Sequence, residues 1–246
     1  VLDSFSGSAT TAEALFRFEV KEKIAAHFIL VQIKENLDES LKTSDSRSKK
    51  TIQNAISFLD SINKPHNICE IGEERIRRAG KKIKEDLKAK QPDLFTNGND
   101  DKQPLDTGFR VFRVDSSNMK DVYFAPKDLE PKQLDLFADN VKEDRTELDL
   151  LYGCMVDWGV QLSLPLATET IDGVTVYTIN DGDLVACFGK PITDNVVKAM
   201  ADKAPLRVLF RDSCFEKDEQ KINIFEQFKQ LLSWSDDEAL NNIRVI

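Results

Sequence analysis

The sequence predicts an α/β fold in two parts: an opening strand–helix–strand unit, followed by a second part of α+β type. Residues 1–3 are apolar up to Asp3 and read as the end of a buried strand, and residues 4–8 are small and contain Gly7, which is typical of a tight turn. Residues 28–31, Phe-Ile-Leu-Val, form a short β-rich run of the kind that a parallel sheet buries. A helix between the two strands completes a βαβ unit with a right-handed crossover.

The remaining elements of the first part follow in order. Residues 10–13, Thr-Thr-Ala-Glu, match a capping box, and the apolar residues that follow predict a helix. The polar residues 34–50 are expected to form a loop or a mobile insertion. Helices are predicted over residues 51–59 and 69–88, the second with an apolar stripe along one side. Residues 91–104 are the best candidate for a linker, so we expect domains at 1–104 and 105–246.

The second part has the alternation of strands and helices expected of a compact α+β domain. Residues 109–114 alternate apolar and polar side chains, which predicts a half-exposed strand. A hairpin is predicted around the turn Asn180-Asp181-Gly182. The other predicted elements are helices at 143–158, 193–201 and 216–232 and strands at 174–179, 184–188 and 206–210.

Composition excludes several classes of protein. The 246 residues are 41% apolar with 15 Phe, enough for a hydrophobic core, yet no stretch approaches the ~18 apolar residues of a membrane span. Four widely spaced Cys and two His predict neither a zinc site nor a disulfide framework, which fits a cytoplasmic protein that binds no metal and no membrane. Because the sequence opens on Val1 in the middle of a pattern, we expect it to be a piece of a longer subunit.

Charge is divided unevenly between the two parts. Residues 1–104 carry 18 Lys+Arg against 17 Asp+Glu, whereas residues 105–246 carry 16 against 26. The basic residues concentrate at 75–90, where Arg75, Arg78 and Lys82 have the spacing of one helical stripe that could follow a phosphate backbone. The alternative interpretation is an ordinary solvated helix face. The acidic second part is a candidate for a protein–protein surface.

Residues 3–11, Asp-Ser-Phe-Ser-Gly-Ser-Ala-Thr-Thr, are the most informative stretch. A strand that ends in a carboxylate, a glycine that lets a ligand approach the backbone and the amides of a helix N-terminus would meet at one point. This arrangement suits a ligand that carries a carboxylate and an ammonium group. The stretch is neither a Walker loop nor the Gly-x-Gly-x-x-Gly dinucleotide motif, although a generic nucleotide-binding α/β protein remains an alternative.

This stretch resembles the cofactor motif Asp-x-Phe-x-Gly-x-Gly-x-Thr of DNA amino-methyltransferases, with Ala9 in place of the second Gly. Further segments continue the likeness, and together they resemble the methylating (Mod) subunit of type III restriction–modification systems along nearly the whole chain. The resemblance implies a partial Rossmann-like methyltransferase half followed by the α+β domain. The segments are residues 28–33, 71–83, 106–112, 142–151, 157–159 and 205–213.

The resemblance also implies roles for single residues in binding S-adenosylmethionine. Asp3 would hold the ammonium of the methionine part and Phe5 would pack beside the cofactor. Gly7 and Ser8 would allow close approach of the backbone, and Thr10 would cap the helix and help to fix the carboxylate. Gln32 stands where many relatives have a Glu that accepts hydrogen bonds from the ribose, and its uncharged amide is expected to bind the ribose more weakly. The alternative interpretation of Gln32 is an ordinary polar strand end.

The family methylates adenine N6 in double-stranded DNA through an Asp-Pro-Pro-Tyr motif that receives a flipped base, and this motif does not occur in the sequence. The resemblance therefore implies no catalytic residue in this chain, which we expect to be inactive alone. It implies a homodimer and a Res endonuclease subunit as protein partners. The alternative from another class is a non-enzymatic dimerisation or subunit-assembly domain.

Overall fold

The computed structural model describes residues 1–90, 105–120, 140–215 and 217–246, which form a mixed α/β protein. The chain divides into two compact units, Val1–Arg110 and Val111–Ile246. The linker predicted at residues 91–104 lies outside the described residues. Among the described residues, no helix is long and apolar enough to cross a membrane.

The first unit opens with the predicted strand–helix–strand order. Strands β1 (Leu2–Asp3) and β2 (Ile29–Leu30) pair in parallel, and helix α1 (Thr10–Glu22) lies between them in the chain. The expectation that both strands are buried is wrong, since Leu2 is 69% exposed and Ile29 is 65% exposed. A two-stranded sheet leaves much of its surface uncovered, because a parallel sheet is buried only where other elements pack on both faces.

Helix α2 (Leu37–Thr43) and the start of helix α3 (Ser46–Ser61) replace the loop that is expected at residues 34–50, and α3 confirms the helix predicted at 51–59. Helix α2 begins after Asn36, whose side chain accepts hydrogen bonds from two amides of the first turn. Helix α3 begins in the same way after Asp45. These caps satisfy amides that a helix start leaves without partners, so polar segments with few apolar residues still form helices.

Helix α4 (Ile68–Lys90) confirms the predicted long amphipathic helix and packs against α1. The core of this unit is formed where the two helices meet. At Gly80 the segment 105–110 comes so close that an added Cβ would lie 2.8 Å from the Cβ of Thr107. The buried members of the core are Ala9, Ala12, Phe16, Ile76, Ala79 and Ile83.

The second unit is a five-stranded mixed sheet covered by helices on both faces. Its strand order is β3-β4-β5-β6-β7, antiparallel from β3 to β5 and parallel from β5 to β7. In chain order the described elements are α5 (Glu147–Asp157), β3 (Leu166–Ile171), β4 (Val174–Ile179), β5 (Leu184–Cys187), α6 (Asp194–Ala201), β6 (Val208–Phe210), α7 (Asp218–Leu232), α8 (Asp236–Asn242) and β7 (Ile243–Val245).

Alternation along the strands sends neighbouring side chains into two separate cores. Leu184 and Ala186 of β5 pack with residues of α5, while Val185 and Cys187 pack with residues of α6 and α7. The hairpin predicted around residues 180–182 is confirmed, as are the helices and strands predicted from residue 143 onwards, with ends that differ by a few residues. Strands β3 and β7 and helix α8 were not predicted.

The strand predicted at residues 109–114 is wrong. These residues form neither helix nor strand. Phe109 instead lies beneath the Arg77 guanidinium, whose central carbon is 5.5 Å from the ring centroid. The alternating pattern is typical of a strand only where a neighbouring strand supplies hydrogen-bond partners, and the described residues offer none here.

The four cysteines form no disulfide, and three of them are buried in the second unit. Burial raises the pKa of Cys187 and of Cys214 to about 11, and also raises the pKa of Cys154. A buried thiol with a raised pKa is unreactive because the thiolate is the nucleophilic form. Cys69, at the start of α4 in the first unit, is only partly buried.

Candidate functional site

The turn between β1 and α1, residues 3–11, is held by its own backbone and by β2. The Ser6 amide donates to the Val31 carbonyl at 3.2 Å, and the Ala9 amide donates to the Ser6 carbonyl at 2.8 Å. Gly7 (φ +53°) and Ala9 (φ +59°) both adopt the left-handed conformation. Glycine takes this conformation without strain, whereas at Ala9 the Cβ makes it costly.

Asp3 places its carboxylate at the carboxyl end of β1, next to the first turn of α1. Its Oδ2 accepts a hydrogen bond from the Thr11 hydroxyl at 2.5 Å, and its Oδ1 accepts one from the Phe5 amide at 3.3 Å. An ionised carboxylate has about four acceptor sites, so this one retains capacity for a further donor. The carboxylate is thus oriented by the protein and still able to bind a cation.

Gln32 fastens the turn to the end of β2. Its Oε1 accepts a hydrogen bond from the Gly7 amide at 2.7 Å, and its Nε2 donates to the Ile33 carbonyl at 3.1 Å. The family resemblance implies that Gln32 contacts a cofactor ribose. In the structure its amide oxygen holds Gly7, a positioning role that the sequence did not reveal. A ribose contact would have to use the second lone pair of the same oxygen.

The predicted capping box at the start of α1 is wrong. The residue at the N-cap position is Ala9, and no side chain there accepts a hydrogen bond from the helix. Thr10 is exposed in the first helical turn, and Glu13 instead binds Arg17 and Arg75. Because Ala9 is in the left-handed conformation, the helix begins at Thr10, one residue earlier than it would if Thr10 were the cap. The first amides of α1 therefore lack a side-chain acceptor, and a helix start of this kind favours anions.

The remaining predicted residues leave open space beside the turn. A Cβ added to Gly7 would meet no atom within 4 Å, so the backbone is accessible from that side. Phe5 is 80% exposed, and Ser8 is partly buried. On the opposite side Gly72 of α4 supports the turn, where an added Cβ would lie 3.3 Å from the Cβ of Ala9. The turn is thus packed against α4 at Ala9 and open at Gly7.

The turn presents groups that complement a ligand with one ammonium and one carboxylate group. Asp3 offers acceptor capacity for an ammonium group, the uncapped start of α1 offers amides for a carboxylate, and the exposed ring of Phe5 offers an apolar surface. Both the open side at Gly7 and the oriented carboxylate are local properties of this turn. They would serve equally for any ligand with these two charges.

The predicted DNA-backbone stripe is largely engaged in ion pairs. Arg75 contacts Glu13 of α1 at 3.4 Å, and Arg78 contacts Glu74 at 2.7 Å while stacking over the ring of Phe58. Lys82 is exposed. Glu73 and Glu74 lie one helical turn before Arg77 and Arg78 and pair with them, which reduces the local positive charge.

A different face of α4 borders a cleft of about 520 Å³. Its basic residues belong to the basic stretch 75–90 but lie outside the stripe predicted from the sequence. Their spacing of four, three and four residues is the signal that could have identified it. They are Arg77, Lys81, Lys84 and Lys88.

A second cleft of the first unit, of about 550 Å³, is bordered by His66, and the loop before α4 is tied there to α2 and α3. His66 Nε2 lies 2.8 Å from Asp60, and Nδ1 lies 3.0 Å from Asp38. The hydrogen bonds to Asp60 and then Asp38 raise the pKa of His66. Within the described residues, no group of three His, Cys, Asp or Glu side chains is arranged to hold a metal ion.

Comparison with models of known protein families gives no match, and comparison with curated proteins gives no significant match. The function of the chain is therefore argued from its own residues.

Proposed function

We propose that this chain is the S-adenosylmethionine-binding part of a site-specific DNA adenine-N6 methyltransferase of the type III restriction–modification class. The observation that carries the proposal is the turn at residues 3–11, in which Asp3 is oriented by Thr11 and the backbone at Gly7 is open. A Rossmann-like arrangement is part of the proposal, supported by the parallel pairing of β1 with β2 around α1.

The chemistry that the cofactor supplies when bound is an electrophilic methyl group on a sulfonium. The residues of this chain hold and orient it. Asp3 accepts from the ammonium group, the amides at the start of α1 receive the carboxylate, and Phe5 covers an apolar part of the ligand. Gln32 keeps Gly7 in place, which keeps the open side of the turn accessible.

The proposal assigns no catalytic residue to this chain, because the Asp-Pro-Pro-Tyr motif is not in the sequence. Methyl transfer, target recognition, homodimer formation and pairing with a Res endonuclease subunit belong to the intact subunit.

A titration followed by amide NMR tests cofactor binding directly. Adding S-adenosylmethionine at millimolar concentration is expected to shift the amide signals of residues 3–11, and Asp3→Asn should abolish the shifts. Asp86→Asn, an exposed position on α4, is the control and should leave them unchanged. Absence of shifts in the unsubstituted chain would refute the proposal, and equal shifts with ATP or NAD would favour a generic nucleotide-binding protein.

A subunit-assembly domain is the second candidate, and the exposed apolar residues of the small sheet favour it. Ile33 is 73% exposed, close in value to Leu2 and Ile29. Large exposed apolar side chains in one region mark protein–protein contact sites. Sedimentation analysis separates the candidates: an assembly domain that binds no cofactor should form oligomers that Ile29→Lys dissolves, with no NMR response to S-adenosylmethionine.

A further inference from the structure

We propose that one face of α4 binds the phosphate backbone of duplex DNA. We call this face the α4 groove; it is the cleft lined by the basic residues Arg77, Lys81, Lys84 and Lys88, with Thr107 and Phe109 on the opposite wall. The choice of DNA as the polyanion rests on the proposed function, whereas the binding of phosphate rests on the groove itself.

The four cations are placed by the helix on one side at regular steps. From Arg77 to Lys88 is eleven residues, or about 16 Å along the helix axis at 1.5 Å per residue. One DNA strand presents a phosphate every ~3.4 Å along the duplex axis and makes one turn in about 10 bp, so the cations span about half a turn of a strand and can reach the phosphates on its near side. The cations are spread along a line and do not converge on a point, which suits an extended backbone better than a single small anion.

The opposite wall gives the groove its shape. Thr107 packs so closely on Gly80 that only a glycine fits there, which brings the segment 105–110 against α4. Phe109 lies under the Arg77 guanidinium, and this contact holds the arginine at the rim. The groove is therefore formed by packed elements on two sides.

The exposed carboxylate beside the groove competes weakly for its lysines. Glu85 also lines the groove, 4.0 Å from Lys81, and both side chains are more than 60% exposed. Arg77 pairs with Glu73 at 2.8 Å and with Glu74 at 3.6 Å. The exposed pair Lys81–Glu85 contributes ~0–1 kcal/mol, so a phosphate replaces Glu85 at little cost. Glu73 and Glu74 are only 15% and 20% exposed and hold Arg77 more firmly. Lys84 makes no ion pair with any residue that the structure describes.

The test is the salt dependence of duplex binding by the full chain, measured by fluorescence anisotropy with a labelled duplex of about 20 bp between 50 and 200 mM salt. The variant Lys81→Gln/Lys84→Gln/Lys88→Gln removes three groove cations, and Gln has nearly the helix propensity of Lys. The matched control, Lys42→Gln/Lys49→Gln/Lys50→Gln, removes three exposed charges from α2 and α3 of the same unit.

Each phosphate contact contributes about −0.9 to the slope of log affinity against log salt concentration. Four contacts give an affinity loss of about 150-fold between 50 and 200 mM salt, and one remaining contact gives a loss of about 3-fold. We expect the affinity of the unsubstituted chain to fall about 150-fold over this salt range and that of the groove variant to fall about 3-fold. The control variant should keep the slope of the unsubstituted chain. Equal slopes for the two variants would overturn the proposal.

Two further measurements identify the polyanion and distinguish the DNA-binding groove from the proposed binding of S-adenosylmethionine. Polyglutamate should compete poorly with duplex DNA at equal charge; equal competition would overturn the proposal in favour of an acidic protein partner. The groove variant should retain the S-adenosylmethionine shifts at residues 3–11. Loss of cofactor binding alone refutes the proposed function, while a salt slope unaffected by the groove variant refutes only the DNA-binding groove.

Discussion

Replacing Gln32 tests whether its side chain fastens the turn at residues 3–11. Gln32→Met keeps the size of the side chain but removes the strong acceptor that binds the Gly7 amide at 2.7 Å. The site is only partly buried, so water replaces part of the lost interaction, and the net cost of a neutral hydrogen bond, about 1 kcal/mol, applies. Gln32→Glu retains an acceptor for the same amide and serves as the matched variant.

A loss of about 1 kcal/mol corresponds to a roughly fivefold larger population of the open turn, and to a fall in the melting temperature of the first unit of about 4 °C. Hydrogen exchange measured by NMR should show the Gly7 amide exchanging about fivefold faster in Gln32→Met if opening follows that equilibrium. Gly159, whose amide donates to the Val156 carbonyl in the second unit, is the internal reference.

The two variants also distinguish the two roles considered for Gln32. If its oxygen only positions Gly7, Gln32→Glu should resemble the unsubstituted chain in Gly7 exchange and in cofactor affinity. If it also accepts from a ribose hydroxyl, Gln32→Glu should bind S-adenosylmethionine more tightly, because a charged acceptor forms a stronger hydrogen bond. Unchanged Gly7 exchange in Gln32→Met would refute the fastening role altogether.

Two further predictions concern the stability of the first unit, which contains neither Trp nor Tyr and is therefore followed by far-UV circular dichroism in urea. Asp60 and Asp38 raise the pKa of His66, so the unsubstituted protein should have a larger free energy of unfolding than His66→Gln. This difference should be full below about pH 6.5 and should fade as the pH rises through the raised pKa. A difference that grows with pH would contradict the prediction. Gly80→Ala, which in an open helix gains about 1 kcal/mol, should destabilise the first unit because its Cβ would lie 2.8 Å from the Cβ of Thr107, and the gain should appear in a Thr107→Gly background. If the effects of Gly80→Ala and Thr107→Gly on the free energy of unfolding are additive, the contact with Thr107 does not determine the effect of an alanine at position 80.

Elements with a strong periodic pattern were predictable from the sequence, while polar elements were not. The apolar stripe of α4 and the turn signal between β4 and β5 identify those elements directly. Helix α2 and the first residues of α3 are polar, and their starts depend on the caps at Asn36 and Asp45, whereas the part of α3 at residues 51–59 was predicted as a helix. Cap residues are also common in loops, so this signal alone does not distinguish the two.

The candidate site was predictable in its residues but not in its bonding. The sequence brings Asp3, Gly7 and Gln32 together through the βαβ pattern, and the structure places them at one turn. The N-cap residue is Ala9 and not the predicted Thr10, because Ala9 adopts a left-handed backbone conformation that side-chain patterns do not reveal. The pairing of Arg75 with Glu13 joins residues far apart in sequence, so it required the packing of α1 on α4.

The position of Cys69 has a practical consequence for studies of the turn. Its sulfur lies 3.9 Å from the carbonyl oxygen of Gln32, and it is the single cysteine in the first unit. Because the other three thiols are buried with raised pKa values, a maleimide dye should attach to Cys69 first. A fluorophore on Cys69 would lie beside Gln32, whose side chain binds the Gly7 amide. Ligand binding at the turn should therefore change its emission.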